Sequence, residues 1–202
     1  HGSTDGVLVG HEDLPAPDSA ERVTTPKPAM AGLPDSATKD AILMRYNDPE
    51  AVLEAVKKYG HELAAILVEP IQGRGGTNIP PAGFLKLLRK ICNKHGALLI
   101  CDEVYTGFGR TGRWFASEHF GVVPDVICLG KALTGGFPLS ACVGRADVMD
   151  RAWPESEGEA IHTSTFLGHP VGCAMALASL RELEVKKLVT RCAEMGEHFL
   201  TE

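Results

Sequence analysis

Three short, continuously apolar runs constrain the fold of this chain most: Ala64–Val68 (AAILV), Ala97–Asp102 (ALLICD) and Asp125–Lys131 (DVICLGK). None alternates between polar and apolar residues, so each suits a strand covered on both sides rather than one with a wet face. Between the first two runs, Phe84, Leu87, Leu88 and Ile91 share one side of a helix expected over Gly83 to His95, with Gly96 as its stop. An earlier helix is equally well marked: Asp48 is its N-cap, Pro49 takes the first helical position and Glu50 lies in the first turn. Val52, Val56 and Tyr59 form its apolar stripe, and Gly60 closes it. Strand, helix, strand, helix, strand in this order predicts an α/β fold, a three-layer αβα arrangement around a mostly parallel sheet covered on both faces. Shorter elements are expected at Ala41–Tyr46 (strand), Trp114–Phe120 (helix) and Ser140–Gly144 (strand), with helical pattern from His169 to the end. Residues 1–40, rich in Gly, Pro, Ser and Asp, read as an irregular segment. Residues 41–185 read as the main part of one domain, and 186–202 as the helical start of a connection to a small domain outside the chain.

Bulk properties narrow the function classes. A length of 202 residues allows one substantial core, and 44% hydrophobic with 23% charged residues is ordinary for a soluble globular domain. A formal net charge of −6 argues against a general binder of nucleic acid or acidic membrane. No apolar run reaches the length of a membrane span, and the first residues do not resemble a signal peptide. The six cysteines form no CxxC pair and several sit in apolar runs, which points to a reducing, cytoplasmic setting without a disulfide framework. The eight histidines show no metal-ligand spacing. The Gly73–Gly76 turn matches neither GxGxxG nor GxxxxGK[ST], so turn glycine is its better reading.

In open parallel sheets ligands bind beyond the carboxyl ends of the strands, where Glu69, Asp102 and Lys131 fall. An amine and a carboxylate delivered from neighbouring apolar strands suit one chemistry above others. Lys131 is placed to form a Schiff base with a carbonyl cofactor and to shuttle a proton, while Asp102 keeps a ring nitrogen protonated. That cofactor would be pyridoxal 5′-phosphate. The apolar run before Lys131 would desolvate it and favour the free amine. Asp102 is preferred over its neighbour Glu103 because it ends the apolar run, and alternation sends the two to opposite sides. Val104 returns to the side of Asp102 and would press on the flat ring, Tyr105 would reach the ring hydroxyl, and the Thr163-Ser164-Thr165 cluster offers hydroxyls for phosphate. Taken singly, a solvated lysine, a turn aspartate and ordinary loop hydroxyls are the better readings, and an exposed tyrosine is as good a one for Tyr105; their combination carries the functional reading.

Assembled, the segments resemble the class III aminotransferases, of the fold type I group that uses pyridoxal phosphate. The matching stretches are Leu67-Val68-Glu69-Pro70-Ile71-Gln72-Gly73, the run from Asp102 to Gly112 (DEVYTGFGRTG), Pro124 to Lys131 (PDVICLGK), and His162-Thr163-Ser164-Thr165-Phe166. Ala31 to Ser36 (AGLPDS) is similar to the glutamate-1-semialdehyde aminomutase branch. The resemblance implies amino-group transfer between an amino acid or amine and a carbonyl acceptor, with an aminomutase or a non-catalytic truncated scaffold as alternatives. It implies Lys131 as the Schiff-base lysine, Asp102 at the pyridine nitrogen, Val104 under the ring, and Tyr105 where many relatives carry glutamine. Ser164 and Thr165 would reach the phosphate bound by a neighbouring subunit, which implies a homodimer with shared active sites.

Departures from the pattern are specific. Arg74 stands where many relatives have a glutamate that gates a substrate-binding arginine, so the resemblance does not by itself assign the usual ω-amino-acid specificity. His169 replaces a common asparagine, and His1-Gly2 looks like the tail of an aromatic-His-Gly turn. The chain is therefore expected to be an interior fragment, inactive as an isolated 202-residue polypeptide.

Overall fold

The computed structural model describes residues 21–28, 30–158 and 162–202. The chain divides into two units, His1–Ala64 with Lys90–Ala97, and Ala65–Arg89 with Leu98–Glu202. The His1-Gly2 turn lies outside the described residues.

In the first unit, β1 (Val23–Thr24) pairs antiparallel with β2 (Leu43–Met44), the short core of the strand expected at Ala41–Tyr46. Helix α1 spans Pro49–Tyr59 and buries Ala51, Val52 and Ala55. The Asp48 carboxylate caps it, accepting from the Ala51 N–H at 3.0 Å and from Arg22 Nη1 at 2.8 Å. Gly60 has an ordinary right-handed φ of −59°, so its role differs from that of a left-handed stop. A Cβ there would lie 2.5 Å from the Val56 carbonyl oxygen and 2.9 Å from the His95 ring, whose Nδ1 contacts the Gly60 carbonyl at 3.1 Å.

The second unit holds the sheet: β3 (Ala65–Val68), β4 (Leu98–Asp102), β5 (Val126–Leu129) and β6 (Ala141–Gly144), in the order β3-β4-β5-β6. The first three strands run parallel, and β6 closes the series antiparallel to β5. The fold is thus a partial three-layer α/β fold around a mostly parallel sheet. Helix α2 (Phe84–His95) connects β3 to β4 and crosses from one unit into the other. Gly96 follows it at φ +69°, the left-handed stop anticipated there. The helix expected at Trp114–Phe120 is a 3₁₀ turn over Ala116–Phe120, ended by Gly121 at φ +62°. Helix α3 (Ala146–Ala152) has no counterpart in the sequence reading. Helices α4 (Pro170–Val185) and α5 (Leu188–Thr201) supply the helical end. His169 is the N-cap of α4, its Nδ1 accepting from the Gly172 N–H at 3.4 Å.

The two faces of the sheet differ. Ile66, Val68, Leu99, Cys101 and Leu129 are buried on one side, and Glu103 continues that row. Ala176, Leu180 and Leu183 of α4 pack there with Ile127, Leu129, Ala141, Phe108 and Leu133. On the other side Ala65, Leu98, Ile100, Asp102 and Cys128 are half-buried, and Leu67 and Cys142 are exposed. The first side is the more closely packed of the two, although Val126 on the second is buried and Val143 on the first is exposed.

At the strand starts, Asp125 binds three elements together. Its carboxylate accepts from the Leu99 N–H at 2.8 Å, from Arg89 Nη1 at 2.6 Å and from Arg145 Nη1 at 2.9 Å. Burial pushes this carboxyl up, but the Leu99, Arg89 and Arg145 hydrogen bonds outweigh it and hold the group below its ordinary value. No helix among the described residues is long and apolar enough to cross a membrane.

Candidate active site

The proposed acid and amine stand at the tips of neighbouring parallel strands. Asp102, the last residue of β4, is level with Cys128 of β5. Lys131 lies three residues beyond Cys128, past the end of β5. Strand β5 itself ends at Leu129, so Lys131 opens a 3₁₀ turn, Lys131–Leu133, rather than ending the strand. Its φ is +40°, a left-handed conformation that costs a non-glycine residue about 1–2 kcal/mol. Lys131 is exposed, so the apolar run before it does not desolvate it here.

The Lys131 ammonium sits 5.9 Å above the centre of the Tyr105 ring, within cation–π range. Tyr105 in turn rests on Gly73, where an added Cβ would come 2.8 Å from its Cδ1. The Gly73 N–H donates to Glu69 Oε2 at 3.0 Å, which anchors the turn to the end of β3. Gln72 and Asn78 bridge across the base of that turn. The glycine-rich segment therefore provides a flat seat for Tyr105, a role its sequence pattern did not disclose. Arg74 is exposed on the same turn.

Asp102 is half-buried, and its Oδ1 accepts from the Val104 N–H at 3.0 Å. That bond folds the chain back at the strand tip and sets Val104 beside Gly130, where a Cβ would lie 3.4 Å from Val104 Cγ1. Glu103 meets a different fate. It is fully buried and accepts from the Thr106 hydroxyl, from the Ala116 N–H at 3.0 Å and from the Ser117 N–H at 2.8 Å. One carboxylate thus ties the loop carrying Val104 and Tyr105 to the start of the 3₁₀ turn at Ala116–Phe120.

A family model for class-III aminotransferases matches residues 1–202. The chain belongs to that family. It is 47% identical over 154 residues to the acetylornithine aminotransferase of Methanosarcina mazei, covering 76% of this chain and 36% of the relative. It is 44% identical over 174 residues to the putrescine aminotransferase of Pectobacterium atrosepticum, covering 86% of this chain and 36% of the relative. Among solved structures, the ornithine aminotransferase of Toxoplasma gondii superposes with a TM-score of 0.70 at 45% identity, covering 78% of this chain and 35% of the other. That structure is described as having partial occupancy of pyridoxal phosphate at its active site. The chain spans little more than a third of the length of the curated relatives it matches.

Within this class-III frame, the described geometry joins Asp102, Val104, Tyr105 and Lys131 through the strand tips and the Gly73 turn. Ser164 and Thr165 lie on a separate exposed turn, closed by bonds from the Leu167 N–H to the Ser164 carbonyl (3.1 Å) and from the His169 N–H to the Phe166 carbonyl (3.2 Å). Two acids escaped sequence reasoning, the Glu103 loop clamp and the Asp125 clamp. Alternation already sent Glu103 to the side opposite Asp102, and a carboxylate buried there must find donors. Nothing local identified those donors as Ala116 and Ser117.

Proposed function

We propose that the protein containing these residues transfers an amino group between an amino acid or amine and a carbonyl acceptor, using pyridoxal 5′-phosphate. The observation that carries this reading is the carboxylate of Asp102 at the tip of β4 and the amine of Lys131 in the turn just past the tip of the neighbouring parallel β5. The donor set fits such a cofactor: an acid for a ring nitrogen, an aliphatic face beside it, an aromatic hydroxyl, and an accessible primary amine. When bound, the cofactor supplies a carbonyl carbon that joins to amines and a ring that draws off electrons.

The residues of this chain do the rest. Asp102 holds a proton on the ring nitrogen, its own position fixed by the Val104 N–H. Val104 limits tilt of the ring and excludes water from one side. Tyr105 donates to the ring hydroxyl and, through its π face, keeps the Lys131 ammonium near the strand tips. Lys131 anchors the cofactor and moves the proton at the substrate α-carbon. Ser164 and Thr165 bind phosphate in a partner subunit, so the working form is a homodimer, placed in the cytoplasm. Support for these assignments comes from family membership and from the strand-tip geometry. Relatives act on acetylornithine and putrescine, as their names state; Arg74 on the Gly73 turn points to a different preference at this position.

Borohydride reduction of the cofactor-loaded protein, followed by peptide mass mapping, tests the reading. A pyridoxyl group on Lys131, lost in Lys131→Ala, is expected. A stable label on any other lysine would remove the basis of the proposal.

A further inference from the structure

On the open sheet face, Asp102, Cys128 and Cys142 form one row across β4, β5 and β6. The type of each β5–β6 pair follows from two hydrogen bonds. The Arg145 N–H donates to the Asp125 carbonyl at 3.0 Å, one step before the Val126–Gly144 pair. Alternation then makes Ile127/Val143 and Leu129/Ala141 the hydrogen-bonded pairs. The Cys128 carbonyl points the other way, accepting from the Glu103 N–H at 3.0 Å. Cys128 and Cys142 are therefore a non-hydrogen-bonded antiparallel pair, the kind whose Cα atoms stand about 4.5 Å apart with side chains closest. A disulfide asks for Cα atoms about 4.4–6.8 Å apart, a range that includes the usual spacing of such a pair. Both thiols are free.

We propose that Cys128 and Cys142 form a dithiol site that reacts with small disulfides such as glutathione disulfide, closing a Cys128–Cys142 bond between β5 and β6. Exposure sets the order of events. Cys142 is exposed and is the point of entry, whereas Cys128 is half-buried. Burial first, then the neighbouring Cys142 and the Asp102 charge, push the Cys128 thiol up and make it the poorer initial nucleophile. The Cys142 thiolate attacks one sulfur of the small disulfide, forming a mixed disulfide and releasing one thiolate. Cys128 then gives up its proton and attacks the Cys142 sulfur, forming the cross-strand bond and expelling the second thiolate. Two protein thiols are oxidised by two electrons, one small disulfide is reduced to two thiols, and the two protons leave on those products. The remaining cysteines are placed differently: Cys92 and Cys101 are buried, while Cys173 and Cys192 lie on α4 and α5.

The test is a non-reducing tryptic map of the native protein after incubation with glutathione disulfide and alkylation, without added cofactor. Cleavage after Arg113, Lys131 and Arg145 puts the two thiols on separate peptides, Trp114–Lys131 and Ala132–Arg145. These peptides are expected to appear linked and to separate on reduction. Cys128→Ser is expected to trap glutathione on Cys142, and Cys142→Ser to leave Cys128 unmodified. Linked peptides with both variant results establish the site. Oxidised wild-type protein in which both thiols still alkylate, with glutathione only on Cys173 or Cys192, would overturn it, as would glutathione on Cys128 in Cys142→Ser. None of these readouts depends on amino-group transfer.

Discussion

The covered and open faces of the sheet treat the same kinds of residue in opposite ways. Asp102 and Glu103 are adjacent acids of one strand, yet Glu103 is sealed and fully engaged by Thr106, Ala116 and Ser117, while Asp102 stands half-buried at the tip. The cysteines divide likewise: Cys101 is buried in the packed layer, while Cys128 is half-buried and Cys142 exposed on the other. A period of two along a strand suffices to separate groups that hold the fold from groups placed to meet a ligand.

The largest expected effect is on the open side. Lys131→Ala should lower amino-group transfer by the whole protein by about 10²–10⁴-fold or more, since it removes both an anchor and a proton carrier. Its urea midpoint should match that of wild type. A variant keeping near-full turnover would mean that the strand tips are not the reacting site.

The acid pair provides a direct contrast in stability. Glu103→Ala should cost about 3 kcal/mol, because two buried N–H groups and a hydroxyl lose their acceptor. Asp102→Ala should cost no more than about 1 kcal/mol while weakening cofactor retention. Equal losses in urea titrations would erase the distinction between the faces.

Asp125 gives a pH-dependent effect of intermediate size. Its folded carboxyl is held below the ordinary carboxylate value, so its contribution is present above the unfolded value near 3.9 and is lost as pH falls through the folded one. Unfolding followed from about pH 6 to pH 2 should show a steeper acid loss for wild type than for Asp125→Asn. Parallel curves would show that Asp125 adds nothing to the acid loss.

The smallest effect concerns the seat of Tyr105. Gly73→Ala should push the Tyr105 ring away and remove its contact with Lys131, shifting stability by less than about 1 kcal/mol. In Tyr105→Leu the same glycine change should matter less, and a double-mutant cycle that sums without a coupling term would separate the two residues.

Much of this architecture was legible because its signals are local. The Asp48–Pro49 cap of α1, the Gly96 stop of α2 and the three apolar strands need only neighbouring residues to be read. Asp102 was chosen over Glu103 because it ends the apolar run and alternation puts the two on opposite sides; the structure buries Glu103 on the side away from Asp102. What escaped depends on distant partners or on backbone detail. Asp125 is clamped by arginines 36 and 20 residues away. The antiparallel direction of β6 is set by chain routing, and the left-handed Lys131 by the turn that follows Leu129.

The Asp125 clamp has a consequence for how this scaffold tolerates change. It locks the floor of β4, β5 and β6 with charge and hydrogen bonds, at the end opposite to Asp102 and Lys131. Rim residues such as Tyr105 and Arg74 can then be exchanged without loosening the foundation, so new substrate preferences can be grafted above an unaltered base.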